Sequence, residues 1–168
     1  MTDEPRPGRS DADDEDESMI TPAMEAEIGK LGDPVEIPIS GELVRRMAEA
    51  LEEDDPALLA ALESADENAE VPPWAMFVRY GRYRPRRLPD APKRGLMAAD
   101  ELTLLAPIHL GDLLTVVPHI ADIRERIGGR VGHSLFVDHE WTYTNQNGEE
   151  VARTRRTVTF FKDTHSGE

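Results

Sequence analysis

The second half of the chain alternates apolar and polar residues with a period of two, which predicts long β-strands. Two strands follow from the segments that begin at Met97 and Leu113, separated by a turn at Pro107–Asp112. Gly128 and Gly129 are expected to close the hairpin into the next strand, and Asn147-Gly148 predicts the hairpin into the last. The clearest strand places five side chains on one face: Leu135, Val137, His139, Trp141 and Tyr143.

A shorter strand is predicted earlier in the chain, where Val35, Ile37 and Ile39 alternate with polar residues or proline. Pro38 places this strand at a sheet edge, because proline cannot donate a ladder hydrogen bond. We therefore expect five strands, four of them in an antiparallel meander. Helices are expected between the first strand and the second.

Three helices are indicated between these strands. Ser40 is a suitable N-cap for an amphipathic helix that reaches Leu51, and Pro56 can open a short alanine-rich helix to Ala65. The segment Val71–Tyr83 is apolar enough to be buried all round, and two prolines give it a stiff start. We predict that it is a central helix covering one face of a curved antiparallel sheet, so the fold class is α+β.

Composition limits the organisation of the chain. Its 168 residues and 39% apolar content suit one domain, predicted over residues 21–162. Residues 1–20 form an acidic segment predicted to be disordered, and residues 163–168 a frayed end. No stretch is long and apolar enough for a membrane span, and the N-terminus does not resemble a signal peptide, so we expect a cytoplasmic protein.

Charge and cysteine content exclude several functions. The net charge of −15 argues against nucleic acid as a partner, which requires a clustered positive field. Because the chain has no cysteine, disulfides, thiolate nucleophiles and cysteine-based zinc sites are all excluded. No spacing of histidines and carboxylates suggests a metal site. His139 lies on an apolar strand face, where a core or interface histidine is the expected interpretation.

Three segments in this order resemble the MaoC-like dehydratase family, and within it the N-terminal, FAS1-like dehydratase branch. VPPWAMF (Val71–Phe77) is similar to the Ala-Pro-Pro entry to the family's central helix. APIHLGDLLTV (Ala106–Val116) is similar to its Pro-x-x-x-Gly-Asp-x-Leu connection, and Glu140–Phe161 to its closing hairpin. The resemblance covers about Asp33–Lys162 and implies a hot-dog fold, in which a curved sheet wraps a central helix.

The resemblance also implies a chemistry. Family members add water to, or remove it from, acyl thioesters of coenzyme A or acyl carrier protein. Their catalytic units carry Asp-x-Asn-Pro-x-His, in which Asp and His hold the water and move its protons. With Pro56 aligned to the motif proline, Glu53 takes the Asp position, Asp55 the Asn position and Leu58 the His position. Leucine cannot transfer a proton, so the resemblance implies a chain without the catalytic pair.

A basic run is the other candidate for function. Seven cations lie within sixteen residues of an otherwise acidic chain: Arg79, Arg82, Arg84, Arg86, Arg87, Lys93 and Arg94. Arginine suits the phosphates of a coenzyme A nucleotide, although an acidic partner surface or ion pairs within the chain explain the run equally well. As candidate substrate-binding residues the resemblance and this run give Pro72, Pro73, Trp74, Arg79, Arg82, Arg86 and Arg87.

The expected function is that of one subunit of a MaoC-like (R)-specific enoyl-CoA hydratase or 3-hydroxyacyl thioester dehydratase. The resemblance implies the non-catalytic, substrate-binding half, with no cofactor other than the acyl thioester substrate. Its expected partner is a catalytic hot-dog subunit carrying Asp-x-Asn-Pro-x-His, because a curved sheet leaves an edge strand to be covered. A stand-alone acyl-CoA-binding protein or thioesterase, or a catalytic homodimer with an atypical site, remains an alternative.

Overall fold

A computed structural model describes residues 18–79, 87–128 and 132–161, with no account of the side chains of residues 77–79. No helix in these ranges is long and apolar enough to cross a membrane. Three α-helices and five strands are present together with a 3₁₀ helix. They are α1 (Pro22–Glu25), β1 (Val35–Pro38), α2 (Gly41–Leu51), α3 (Pro56–Ser64), the 3₁₀ helix (Pro73–Arg79), β2 (Arg94–Leu104), β3 (Leu113–Arg126), β4 (Ser134–Thr144) and β5 (Glu150–Phe161).

The five strands form one antiparallel sheet in the order β1-β3-β4-β5-β2. The prediction of five strands and of β1 at an edge is confirmed. The prediction of a four-stranded meander is wrong, because β2 pairs with β5 at the far edge and only β3, β4 and β5 follow one another. The strand β2 also begins three residues before Met97, at Arg94.

The segment between β2 and β3 explains this order. It was predicted as a turn, but its backbone is paired with distant segments: the Val71 N–H donates to Ile108 at 2.8 Å, and the Leu110 N–H donates to Ala69 at 2.9 Å. Ile108 and Leu110 are buried. The segment 105–112 is therefore a crossover that carries the chain from one edge of the sheet to β3, beside the other edge, and it contributes to the core on the way.

The two longer helices begin and end as their sequences dictate. The Ser40 hydroxyl accepts from the Leu43 N–H at the start of α2, and the Asp55 carboxylate accepts from the Ala57 N–H at the start of α3, where Pro56 is the first residue. Both helices end at a residue in the left-handed conformation, Glu52 after α2 and Ala65 after α3. These turns direct both helices back onto the sheet.

The central helix differs from its prediction over Val71–Tyr83. It is a 3₁₀ helix that begins at Pro73, since a residue that precedes proline is excluded from the helical region. The Ala75 N–H donates to the Pro72 carbonyl at 2.9 Å, a bond of 3₁₀ type. The helix is not buried all round, because Ala75 and Met76 are buried while Pro73 is exposed. Residues 80–83 lie outside the described residues.

The helices cover the inner face of the sheet. One core cluster joins α2, α3 and the 3₁₀ helix to β1, β3, β4 and the crossover, and it includes Trp141 and Tyr143. A second cluster lies farther along the sheet, where Met19 and Met24 pack against Ile120, Leu135 and Val137. Met19 belongs to the segment predicted as a disordered tail; residues 1–17 and 162–168 lie outside the described residues, so the tail and the frayed end stay predictions.

The outer face of the sheet carries buried charges. Glu140 and Asp138 are 7% and 5% exposed, although no helix of the described chain packs on that face. Each is covered by long basic side chains from the neighbouring strands. Arg155 donates to Glu140 at 3.0 Å, and Arg124 donates to Asp138 at 2.7 Å. The Glu140 carboxylate raises the pKa of Arg155 further by accepting this bond. Ion pairs with these arginines thus shield the carboxylates on the polar face of β4 from solvent.

His139 lies on the inner face of β4 between the two core clusters. It is 4% exposed, and among the described residues its Nδ1 has no hydrogen-bond partner. Burial, assisted by the nearby Arg156 cation and opposed by Asp138, lowers the pKa of His139 to about 4. The expected core position is confirmed, and the imidazole is neutral at pH 7.

This pKa predicts a pH dependence of stability. Between about pH 6.5 and 4 the unfolded chain binds a proton at His139 that the folded chain does not, so stability is lost as the pH falls through this window. We expect the free energy of unfolding to drop by about 2 kcal/mol more between pH 7 and 5 in the wild type than in His139→Leu. Urea unfolding at pH 7 and at pH 5 measures the free energy of unfolding of both proteins.

The control for this experiment is the interval from pH 7 to 8. His139 is neutral there in the folded chain and mostly neutral in the unfolded chain, so the changes in the wild type and in His139→Leu should agree within about 0.2 kcal/mol. Equal losses in the two proteins between pH 7 and 5 would contradict the assignment of a neutral, buried imidazole.

Candidate functional site

A cleft of about 230 Å³ opens where the 3₁₀ helix begins. Pro72 and Pro73, two of the predicted substrate-binding residues, form one wall together with Glu70 and Val71. The opposite wall is the end of β2 and the start of the crossover, Leu104–Ile108. Except for Glu70 the side chains that line the cleft are apolar. The cleft therefore suits an aliphatic or thioester segment better than a charged group.

The crossover wall of this cleft was missed as a site in the sequence. The sequence indicates only a turn at Pro107–Asp112 and a family motif that begins at Ala106. Leu105 in this wall is 53% exposed and is therefore not part of the buried core. The end of β2 and the mouth of the cleft thus lie at the same free edge of the sheet.

Glu53, at the Asp position of the family motif, is half-buried, and both of its carboxylate oxygens accept hydrogen bonds. Its Oε1 accepts from the backbone N–H groups of Asp54 and Asp55 at 3.1 and 3.2 Å. Its Oε2 accepts from the Trp74 indole Nε1 at 3.0 Å. The left-handed residue Glu52, which ends α2, turns the chain so that this carboxylate faces the 3₁₀ helix. Glu53 therefore fastens the helix start in place.

Leu58, at the His position, is 4% exposed and packs in the core cluster with Leu62 and Val71. Asp55, at the Asn position, caps α3 with its side chain. The backbone thus follows the expected course around Pro56. At the point where a catalytic unit would place its imidazole, the described chain offers an aliphatic side chain, and no base accompanies Glu53.

The remaining predicted binding residues are placed only in part. Trp74 is half-buried and is held by Glu53, and it does not line the cleft. Arg87 is exposed. Arg82, Arg84 and Arg86 lie outside the described residues, and the Arg79 side chain is not described. Their role in binding stays a prediction.

Asp112 holds the crossover against the β4–β5 hairpin. Its Oδ2 accepts from the His109 N–H at 2.7 Å, and its Oδ1 accepts from the Gln146 amide at 2.9 Å. Gly111 precedes it with φ of 85°, a conformation that favours glycine. The sequence interpretation of Asp112 as a cap for this turn is confirmed. Asp112 therefore connects the end of the crossover both to its own turn and to the β4–β5 hairpin.

The two edges of the sheet differ. The strand β1 has four residues and ends at Pro38, so it is blunted in the way natural edges are. The strand β2 has eleven residues without proline, and nearly all of them are exposed. Leu96 and Met97 are each 63% exposed. The side of β2 away from β5 has no partner strand among the described residues, so β2 is the edge open to pairing.

The chain is similar to known proteins in sequence and in fold. A model of the FAS1-like dehydratase domain region matches residues 26–154, which is most of the chain. No curated protein sequence matches it. The ChsH1-ChsH2 complex of Mycobacterium tuberculosis contains a similar chain, with a TM-score of 0.67 at 17% identity, covering 86% of this chain and 92% of that one.

Two further structures agree on the fold. A MaoC-like dehydratase from Rhodospirillum rubrum has a TM-score of 0.59 at 19% identity, with 82% of this chain and 94% of that chain covered. The HadBC complex of Mycobacterium tuberculosis, a 3R-hydroxyacyl-ACP dehydratase, has a TM-score of 0.57 at 21% identity, with 79% and 96% covered. The predicted hot-dog fold is confirmed. The chain belongs to the family of the FAS1-like dehydratase domain region, and it shares its hot-dog fold with MaoC-like dehydratases.

Proposed function

We propose that this chain is the non-catalytic, substrate-binding subunit of a MaoC-like (R)-specific enoyl-CoA hydratase or 3-hydroxyacyl thioester dehydratase. Its partner in this proposal is a second hot-dog subunit that carries Asp-x-Asn-Pro-x-His. The observation that carries the proposal is the buried Leu58 at the His position, beside a Glu53 carboxylate that already accepts three hydrogen bonds.

Chemistry explains why this observation supports a non-catalytic role. Adding water across the double bond of an enoyl thioester requires one group to take a proton from water and a group to deliver one to carbon. Leu58 can do neither. The Glu53 oxygens accept from the two backbone N–H groups and the indole, and no histidine of the described residues is hydrogen-bonded to them. The proton transfers therefore fall to the partner.

The cleft supports a binding role. At about 230 Å³ it is smaller than the roughly 300–1,000 Å³ of typical ligand pockets, and it opens at the free edge of the sheet. A partner sheet joined at β2 would supply the missing wall. Structures of the same fold come from two-component complexes, ChsH1-ChsH2 and HadBC, which supports the assignment of a partner. In this arrangement Pro72, Pro73 and the crossover hold the acyl segment.

The first test is enzymatic. The purified chain alone should not hydrate an enoyl-CoA, whereas co-expression with a hot-dog subunit that carries the intact motif should give activity. In that complex Glu53→Gln should change kcat by no more than about threefold, because Glu53 positions Trp74 and transfers no proton. Substitution of the partner's motif His should abolish the activity.

The opposite pattern would identify the alternative functions. Activity of the chain alone that Glu53→Gln abolishes would indicate a catalytic homodimer with an atypical site. Thioester hydrolysis without hydration would indicate a thioesterase, and tight acyl-CoA binding without either reaction would indicate a stand-alone binding protein.

The second test concerns the basic run. If Arg82, Arg86 and Arg87 contact the phosphates of coenzyme A, their joint replacement by alanine should weaken acyl-CoA binding by the assembled complex about tenfold or more. The same change should leave the affinity for a pantetheine thioester, which lacks the nucleotide, unaltered. Equal affinities of wild type and variant for acyl-CoA would assign the run to another role.

The third test concerns assembly through β2. A lysine on an edge strand opposes pairing, so Leu96→Lys should weaken the complex with the partner about tenfold or more. Ile127→Lys is a matched control, because Ile127 is 61% exposed and lies beyond the end of β3, away from the edge. Light scattering reports the masses. Equal effects of both variants, or a monomer under all conditions, would contradict this assembly.

A further inference from the structure

A second cleft, of about 220 Å³, lies on the outer face of the sheet and reaches the same free edge. It is lined by residues of β2, β5 and β4 together with Leu105: Glu101, Thr103, Leu105, Glu140, Arg153 and Arg155. The proposed acyl cleft lies at this same end of β2 and shares Leu105 with it. This outer cleft has no part in the chemistry proposed above, and its lining is charged.

Glu140 forms the floor of the outer cleft and fixes its two cations. It is 7% exposed, and its carboxylate lies 3.0 Å from Arg155 Nη2 and 3.6 Å from Arg153 Nε. His119 Nε2 lies 3.5 Å from the same carboxylate. Arg153 also binds Glu150 at 2.6 Å. Both guanidinium groups are thus already committed to carboxylates of this chain.

Glu101 stands at the edge side of the cleft and is different. It is exposed on β2, next to Thr103, and its carboxylate forms no ion pair within 4.0 Å in the described part of the chain. It lies opposite Arg155 in the β2–β5 register and attracts this cation, but Arg155 donates its hydrogen bond to Glu140. Of the two carboxylates that line the cleft, Glu101 is therefore the one that lies on the free edge strand and forms no ion pair within 4.0 Å in the described part of the chain.

The local balance of charge favours a cation. Two carboxylates, Glu101 and Glu140, and two guanidinium groups line the cleft, and Glu150, which pairs with Arg153 outside the lining, adds a third carboxylate to this cluster. The chain as a whole carries a net charge of −15, so a second copy would meet strong repulsion. A basic side chain from a different subunit would meet attraction at the same place.

We propose that the outer cleft receives a lysine or arginine from the edge strand of the partner subunit, held by Glu101 and Thr103, and that this contact selects the partner over a second copy of the chain. The proposal rests on the proposed function for the existence of a hot-dog partner. It adds which surface recognises that partner and which charge the partner presents there.

The test is a charge reversal with a matched control. Glu101→Lys should weaken binding of the motif-bearing hot-dog subunit by about tenfold or more, and Glu101→Gln by about threefold. Glu36→Lys makes the same change at an exposed glutamate on the opposite edge strand β1, and it should alter the affinity less than about twofold. Calorimetry measures the affinities, and thermal unfolding shows that each variant is folded.

A reciprocal change identifies the cation. Replacing the responsible partner lysine or arginine with glutamate should weaken binding to the wild type and restore binding to Glu101→Lys. Equal losses for Glu101→Lys and Glu36→Lys, with Glu101→Gln unchanged, would overturn the inference while leaving the proposed function standing. A homodimer that Glu101→Lys disrupts would replace the partner with a second copy. If no hot-dog subunit binds the full chain, the inference and the proposed function both fail.

Discussion

Strand β2 pairs with β5 and not with β3, the strand that follows it in the chain, and the segment 105–112 must cross the sheet as a result. This crossover fills part of the core with Ile108 and Leu110 and pairs its backbone with residues 69–71 before the 3₁₀ helix. It thereby builds one wall of the cleft beside the 3₁₀ helix. The same pairing leaves β2 at the edge, so the cleft and the open edge arise from one feature of the topology.

The outer face of the sheet is organised by charge where the inner face is organised by packing. Two nearly buried carboxylates, Asp138 and Glu140, lie side by side on the polar face of β4. Buried ion pairs contribute little net stability, because desolvation offsets the attraction, but removing one partner is costly. Here Asp138 links β4 to Arg124 on β3 and Thr157 on β5, and Glu140 holds the two arginines that border the outer cleft. Rigid charges of this kind suit selective contacts.

Much of the fold could be predicted from local signals in the sequence. The Ser40 and Asp55 caps, the strand alternation and the Asn147-Gly148 turn each depend on a few neighbouring residues. The neighbour of β2 could not be predicted, since it depends on contacts that are distant in the chain and that resemble a turn locally. The burial of Glu140 was equally hidden, because alternation marks it only as polar and its cover comes from arginines on another strand.

The candidate site, like the fold, could be predicted only in part from the sequence. With Pro56 as the anchor, the sequence assigns Glu53 and Leu58 to the motif positions, and the structure places both between the end of α2 and the first turn of α3. The bond from Trp74 to Glu53 could not be read from the sequence, because an indole and a carboxylate twenty-one residues apart give no local pattern. The crossover wall of the cleft was missed for the same reason as the strand order. The features that could be predicted depend on local residue patterns, and those that could not depend on contacts between residues distant in the chain.

The free side of β2 also affects how the chain behaves before it meets a partner. Unpaired edge strands are templates for aggregation, and two such edges on identical chains are complementary to each other. The formal charge of −15 opposes this encounter, because like charges repel at distances up to about a Debye length. Electrostatic repulsion thus provides the colloidal protection that β1 obtains from its shortness and its proline. This protection weakens as ionic strength rises, so the tolerance for excess unpaired subunit is set by salt.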